Sequence, residues 1–128
     1  MAIRIVRLGN ERTPHEGLRI GTVRRPPRGV PKAQFSSGNW YDVWLPILAP
    51  SAETIKLGQS GDSPRHWAAF AKRYRAEMAR SDNSRVLDLL AALSHTANFS
   101  VGCYCEDESH CHRSILRQLL LDRGAEVT

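Results

Sequence analysis

The amino-acid sequence predicts a single small α/β domain over residues 1–128, with a short, mainly parallel sheet flanked by helices. The length fits one domain, because domains most often contain roughly 100–150 residues. Hydrophobic residues make up 41% of the chain and charged residues 24%, which are values typical of a globular protein. Segments whose residue pattern is typical of β-strands lie before and after segments with helical periodicity, and this order favours an α/β fold.

Three strands are predicted. Residues 3–7 alternate apolar with basic side chains, and residues 18–24 form a second β-rich segment that Pro26 and Pro27 end, since proline lacks a backbone donor. Residues 99–104 are apolar or small and uncharged, which favours a buried strand.

The clearest helix start is Ser63 followed by Pro64, an N-cap residue and a first-turn proline, and we expect this helix to run to about Arg80. Its apolar stripe has spacings of three and four residues and consists of Trp67, Phe70, Tyr74 and Met78.

Two further helices follow from the same periodicity. One begins near Asn83-Ser84, and its predicted apolar face consists of Val86, Leu89, Leu90 and Leu93. The last helix ends at Gly124, and its predicted apolar face consists of Ile115, Leu116, Leu119 and Leu120.

Two segments lack a clear period. Residues 39–50 are aromatic but interrupted by Pro46, which indicates a short helix or compact turn that packs Trp40, Trp44 and Leu48 into the domain. Residues 51–62 are expected to be irregular, with Gly58 and Gly61 as breakers.

A long helical crossover separates the second strand from the third, which favours parallel pairing. In parallel sheets ligands bind beyond the carboxyl ends of the strands. We therefore expect residues 24–29 and residues 105–113 to lie at the same edge.

The chemically densest segment runs from Cys103 to Arg113 and contains all three cysteines. Strand alternation places Cys103 and Cys105 on one face, and Cys103 is best interpreted as a core residue. Ser109 or Asp107 is expected to cap the last helix, with residues 110–113 in its first turn. Free N–H groups there favour anions, and they lower the pKa of a nearby thiol.

Three hypotheses compete for this segment. The first is a thiol nucleophile, Cys105 or Cys111. The second is a soft-metal site using Cys103, Cys105, His110, Cys111 or His112. Its spacing is not standard for zinc and adjacent helical residues diverge, so all five cannot converge, and no metal ligand and no cofactor is assigned. The third is an anion site without catalysis. The predicted anion-binding residues are Arg24, Arg28, His110, His112 and Arg113.

Several motifs, in order along the chain, resemble the YeaO-like branch of family 488 of domains of unknown function. They are residues 24–32, residues 42–51, the stripe from Trp67 to Glu77, and residues 105–113, which contain the His-Cys-His-Arg sequence of the wider family. The resemblance covers about residues 3–121. It implies a small cytoplasmic α/β domain and carries no established reaction.

Composition limits the partners. A formal charge of +5 favours anionic ligands, and no apolar run approaches the roughly 20 residues of a membrane helix. Three clustered cysteines and the absence of a signal peptide indicate a cytoplasmic protein. The leading hypothesis is a phosphate- or anion-binding pocket, with thiol-dependent catalysis. The alternative is a nucleic-acid-binding or regulatory module. The sequence does not define an oligomeric state.

Overall fold

The sheet of this chain has four parallel strands in the order β1-β4-β2-β3. The strands are β1 (Ile3–Arg7), β2 (Leu18–Gly21), β3 (Val43–Trp44) and β4 (Phe99–Cys103). These bounds come from a computed structural model, which describes residues 1–128. The α/β class and the parallel pairing of the second predicted strand with the last are confirmed.

Four α-helices accompany the sheet: α1 (Ala52–Gln59), α2 (Pro64–Met78), α3 (Ser81–Leu93) and α4 (His112–Asp122). Short 3-10 turns cover Lys32–Gln34, Pro46–Leu48 and Glu108–His110. No helix of the chain combines the length and the apolar character that crossing a membrane requires.

The main core consists of 15 buried side chains contributed by the sheet and the helices. Register places Ile20 beside Val101 in neighbouring strands, and both side chains belong to this core. A second, smaller cluster surrounds the carboxyl ends of β1, β2 and β4 and consists of Leu8, Val23, Tyr41, Cys103 and Cys111. The position of two cysteines in this smaller cluster places thiols at the carboxyl edge of the sheet.

Helix α1 corrects the prediction that residues 51–62 are irregular. Ser51 caps this helix by accepting a hydrogen bond from the backbone N–H of Thr54. Gly58 lies inside the helix, where a Cβ atom would approach Cδ2 of Phe70 to 2.8 Å. This glycine therefore permits close contact between α1 and α2; it does not break the helix.

The stripe predicted for α3 is also displaced. Leu89 and Leu93 are 57% and 39% exposed, and the buried apolar residues of the helix are Leu87, Leu90 and Ala91. The helix begins at Ser81, before the predicted start. The apolar residues fit two overlapping faces, and packing against the rest of the domain selects one of them.

The segment of residues 39–50 is neither one helix nor one turn. It contains strand β3 and a 3-10 turn, and it packs Leu48 fully into the core. Trp44 remains 43% exposed, contrary to the prediction, because β3 is the edge strand. Its indole N–H donates to the carbonyl of Val23 at 2.7 Å.

Candidate functional site: a cavity with three thiols

A cavity of about 510 Å³ lies beyond the carboxyl ends of β2 and β4, and we call it the thiol cavity. Helices α1 and α2 form its apolar wall through Ile55, Trp67 and Phe70. Cysteine, histidine and arginine side chains line the other side: Arg24, Arg25, Cys103, Cys105, His110, Cys111 and His112. The expected position at the strand ends matches this geometry.

All three cysteines are reduced and lie close together. The thiol of Cys103 donates to the sulfur of Cys105 across 3.8 Å, because both side chains lie on the same face of the chain as it leaves β4. Cys103 and Cys111 are buried, whereas Cys105 is exposed. The core placement of Cys103 is correct, and its sulfur also contacts the sulfur of Cys105, with which strand alternation had placed it on one face.

Cys111 is the N-cap of α4 and not a residue of its first turn. A preceding 3-10 turn, capped by Asp107, contains His110, so the helix begins at His112. The first N–H groups of a helix have no intrahelical acceptor, and they generate a positive potential beside the Cys111 thiol.

His112 is buried and has a different partner on each ring nitrogen. Nε2 lies 2.8 Å from the carbonyl oxygen of Thr22, at the end of β2. A carbonyl only accepts hydrogen bonds, so Nε2 carries the proton. Nδ1 faces Sγ of Cys111 at 3.7 Å, and in the neutral ring it is the acceptor for the thiol proton. The ring of Tyr74 packs edge-on against the imidazole, with 5.4 Å between the ring centroids.

These contacts separate the three thiols electrostatically. Hydrogen bonds from Cys103 and Cys105, together with His112, hold the pKa of Cys111 well below its ordinary value despite burial. The pKa of Cys103 is raised by its hydrogen bonds to the other two sulfurs and by burial. For Cys105, the hydrogen bond from Cys103 lowers the pKa. The hydrogen bond with Cys111 and the burial of the thiol raise it by more, so the pKa of Cys105 lies above its ordinary value. Cys111 is therefore the group that ionises first.

Arg113 does not reach the cavity. Its side chain is buried and donates through NH2 to the carbonyl of Cys105 at 2.6 Å, while its Nε has no partner. None of the neighbouring acidic residues pairs with it, since Glu108 binds Arg117. Arg113 thus fixes the backbone that carries Cys105.

His110 lies at the rim of the thiol cavity and is exposed. Its Nδ1 contacts Asp107 at 2.8 Å, and its ring meets the edge of Trp67. Hydrogen bonds from Ser109 and His110 lower the pKa of Asp107 to about 2. His110 and His112, grouped together by sequence, therefore occupy very different environments.

The structure separates the two predicted arginines. Arg24 lines the thiol cavity, and its Nε donates to the carbonyl of Pro50 at 3.0 Å. Arg28 lines a second cavity with Arg7 and Arg25. Only the Arg24 end of the loop therefore lies beside the cysteines.

The three ligand atoms of Cys103, Cys111 and His112 lie within 4.8 Å of one another and are the residues that could hold a metal ion. Thiolate and imidazole ligands suit soft cations such as zinc. The sequence interpretation excluded only the convergence of all five candidate side chains, because adjacent helical residues diverge. The side chains of Cys111 and His112 can nevertheless converge, because the backbone of Cys111 is extended and not helical, at φ −128° and ψ 153°.

A family model described as the Active DUF488-N3 subclade matches residues 3–124. The chain belongs to this family, and the resemblance of its motifs to family 488 is thereby confirmed. The match does not distinguish the YeaO-like branch, which stays a prediction. No curated protein and no solved structure matches the chain significantly.

Proposed function

We propose that this member of the DUF488 family is a thiol-dependent enzyme acting on an anionic substrate, with Cys111 as the reacting thiolate. The observation that carries the proposal is the chain of contacts from Sγ of Cys111 to Nδ1 of His112, and from Nε2 to the Thr22 carbonyl. A nucleophile, an adjacent base and a group that orients the base are the recurring elements of thiol catalysis. The subclade is described as active, which agrees with an enzyme.

The chemistry follows from the protonation states. His112 accepts the Cys111 proton, and the thiolate attacks an electrophilic atom of the substrate. The bond to the leaving group breaks as the imidazolium returns that proton to it. Water then releases the covalent intermediate and restores the thiolate and its proton.

The environment selects the substrate. Arg24 and Arg25 at the rim provide positive charge, whereas Trp67 and Phe70 provide an apolar wall. Cys105 is exposed at the mouth, so a substrate meets this thiol before it reaches the buried Cys111. We expect a ligand with an anionic group near the reacting atom. The chain has three closely spaced free cysteines, and we propose that the protein works in a reducing compartment, the cytoplasm.

Alkylation with two reagents tests the proposal. We measure the rate of Cys111 modification by neutral iodoacetamide and by anionic iodoacetate against pH, and map the labelled peptide by mass spectrometry. Cys111 should react at pH values well below about 8.5, the pKa of free cysteine. Its preference for iodoacetate should exceed that of glutathione and fall with added phosphate.

Single substitutions test the role of each side chain separately. Cys105→Ser should keep the reactive site, whereas His112→Asn should remove its reactivity at low pH. Arg24→Gln should reduce the preference for iodoacetate, and Arg65→Gln, an exposed arginine on α2 outside the cavity, should not. Labelling of Cys105 alone, with the pH midpoint of free cysteine, would refute the proposal. Stoichiometric metal in the purified protein would instead favour metal binding by the same residues.

A nucleic-acid-binding function is the alternative. It is motivated by four exposed basic residues of α2, none of which forms an ion pair: Arg65, Lys72, Arg73 and Arg75. Phosphate contacts require an affinity that decreases steeply with salt. Charge reversal at Lys72 and Arg73 should then abolish binding of a duplex or single strand. No detectable binding at low salt excludes this alternative.

A further inference from the structure

A second cavity of about 660 Å³ adjoins the thiol cavity and has a different character. We call it the basic cavity. Three of its lining side chains are arginines and none is acidic; the full set is Arg7, Leu8, Gly9, Asn10, Arg25, Pro26, Pro27, Arg28, Trp40 and Tyr104. Its volume exceeds what a single inorganic anion fills and is within the range of roughly 300–1,000 Å³ for ligand pockets.

The positive charge of this cavity is largely uncompensated. The side chains of Arg25 and Arg28 form no hydrogen bond or ion pair within the protein. Arg7 meets Glu106 at 3.7 Å, but that carboxylate is 85% exposed, so solvent screens the pair. Guanidinium groups match the geometry of phosphate oxygens and bind them bidentately.

The loop that carries two of these arginines is held in place before any ligand binds. Trp44 donates to the carbonyl of Val23 at 2.7 Å, and the hydroxyl of Tyr104 donates to the carbonyl of Arg25 at 2.8 Å. Pro26 and Pro27 restrict the backbone that follows, and Pro27 is buried. An ordered loop loses less conformational entropy on binding.

Two aromatic rings complete the basic cavity. Trp40 and Tyr104 meet edge to face with 6.0 Å between ring centroids, and both line the cavity. Each ring is only partly buried. A planar ring of a ligand can therefore stack on an aromatic face while its charged groups meet the arginines.

The two cavities meet at two residues. Arg25 and Tyr104 line both of them, with the arginines on one side and the thiols on the other. We propose that the basic cavity binds a nucleoside diphosphate or a close analogue, with the phosphates on Arg25 and Arg28 and the base beside Trp40 and Tyr104. That this ligand is also the substrate, extending past Tyr104 to Cys111, rests on the function proposed above.

Calorimetry tests the binding site. Adenosine diphosphate is titrated into the full chain, with adenosine and inorganic pyrophosphate as partial ligands. Arg28→Gln should weaken diphosphate binding by about tenfold, equivalent to about 1.4 kcal/mol, and leave adenosine binding unchanged. Trp40→Leu should weaken adenosine binding and spare pyrophosphate. Arg65→Gln, outside both cavities, is the matched control.

The outcomes distinguish this inference from the proposed enzyme. Cys111→Ser should bind the diphosphate as the wild type does, and the bound diphosphate should slow alkylation of Cys111 in the wild type. Equal binding by wild type and Arg28→Gln, or no binding at all, overturns the basic cavity as a nucleotide site even if Cys111 remains reactive. If the wild type binds the diphosphate as expected but Cys111 is unreactive, only the proposed enzymatic function is overturned.

Discussion

Nε2 of His112 lies 2.8 Å from the carbonyl oxygen of Thr22, although 90 positions separate the two residues in the chain. This hydrogen bond joins the end of β2 to the first turn of α4. It determines the tautomer of the imidazole and thereby directs the free Nδ1 at Cys111. The geometry of the thiol site therefore depends on the sheet as well as on the helix.

The acceptor that orients His112 is the backbone carbonyl of Thr22. The role of this carbonyl can therefore be tested separately from that of the Thr22 hydroxyl. Its hydroxyl donates to the carbonyl of Gly102 at 3.0 Å and also lies 3.3 Å from Nε2 of His112. Thr22→Val should reduce the free energy of unfolding by about 1 kcal/mol, the usual value of one hydrogen bond. The pKa of Cys111 should stay low, because the carbonyl remains. Urea denaturation and ultraviolet thiolate absorbance measure the two effects, with Thr22→Ser as control. A pKa that rises in Thr22→Val but not in Thr22→Ser would assign the orienting role to the hydroxyl.

The thiol cluster should carry one thiolate per chain at neutral pH. The lowered pKa of Cys111 favours its thiolate, whereas the raised pKa values of Cys103 and Cys105 favour their protonated forms. A titration followed by thiolate absorbance should show one group ionised at pH 7 and the other two ionising above the normal cysteine range. Cys111→Ser should remove the first group, and His112→Asn should shift its midpoint upward. Three indistinguishable midpoints near that of free cysteine would contradict the arrangement.

Gly58 should resist substitution despite its helical position. Alanine favours a helix interior over glycine by about 1 kcal/mol, but its Cβ here would lie 2.8 Å from the Phe70 ring. Overpacking of this kind destabilises by about 1–3 kcal/mol, so Gly58→Ala should lower the stability. Gln59→Ala, at an exposed position of the same helix, should leave stability nearly unchanged. An increase in melting temperature for Gly58→Ala would show that the two helices separate easily.

Glu77 should anchor α1 against α2. The buried carboxylate accepts hydrogen bonds from the Ser51 backbone at 3.0 Å and from the Thr54 hydroxyl at 2.7 Å. Glu77→Gln replaces one acceptor oxygen by a donor, which should cost about 1–3 kcal/mol in unfolding experiments. The exposed Glu53 of α1 supplies the control, Glu53→Gln. Because α1 forms a wall of the thiol cavity, Glu77→Gln should also accelerate alkylation of Cys111. Equal stability of both variants would exclude the anchor.

The buried pair of Glu16 and Arg19 should make stability fall in acid. Desolvation raises the pKa of Glu16, but the hydrogen bonds from Arg19 and Ser100 outweigh it, and the net pKa lies below the ordinary 4.5. A lowered folded-state pKa stabilises above pH 4.5, and the contribution is lost as pH falls through the folded value. Glu16→Gln should lose about 3–5 kcal/mol at neutral pH and show a weaker acid dependence. Glu11→Gln, exposed and unpaired, should match the wild type in both respects.

The class of fold and the location of the thiol and imidazole side chains follow from patterns along the chain. Strand periodicity identified β1, and a run of apolar or small uncharged residues identified β4. The Ser63-Pro64 pair identified the start of α2. These patterns depend on neighbours along the chain. The parallel pairing of β2 with β4 followed from the length of the crossover. The position of residues 105–113 after a buried strand was sufficient to predict thiols and imidazoles at the carboxyl edge of the sheet.

Which of these side chains contact one another depends on the packing of the whole domain. The pKa of Cys111 is lowered by Cys103, by Cys105 and by His112. The carbonyl of Thr22 orients the His112 ring. Arg113 faces inward and Arg28 faces another cavity, although local sequence grouped both with the thiols. Such differences arise because side-chain direction depends on distances between residues far apart in the chain, which periodicity and spacing do not encode.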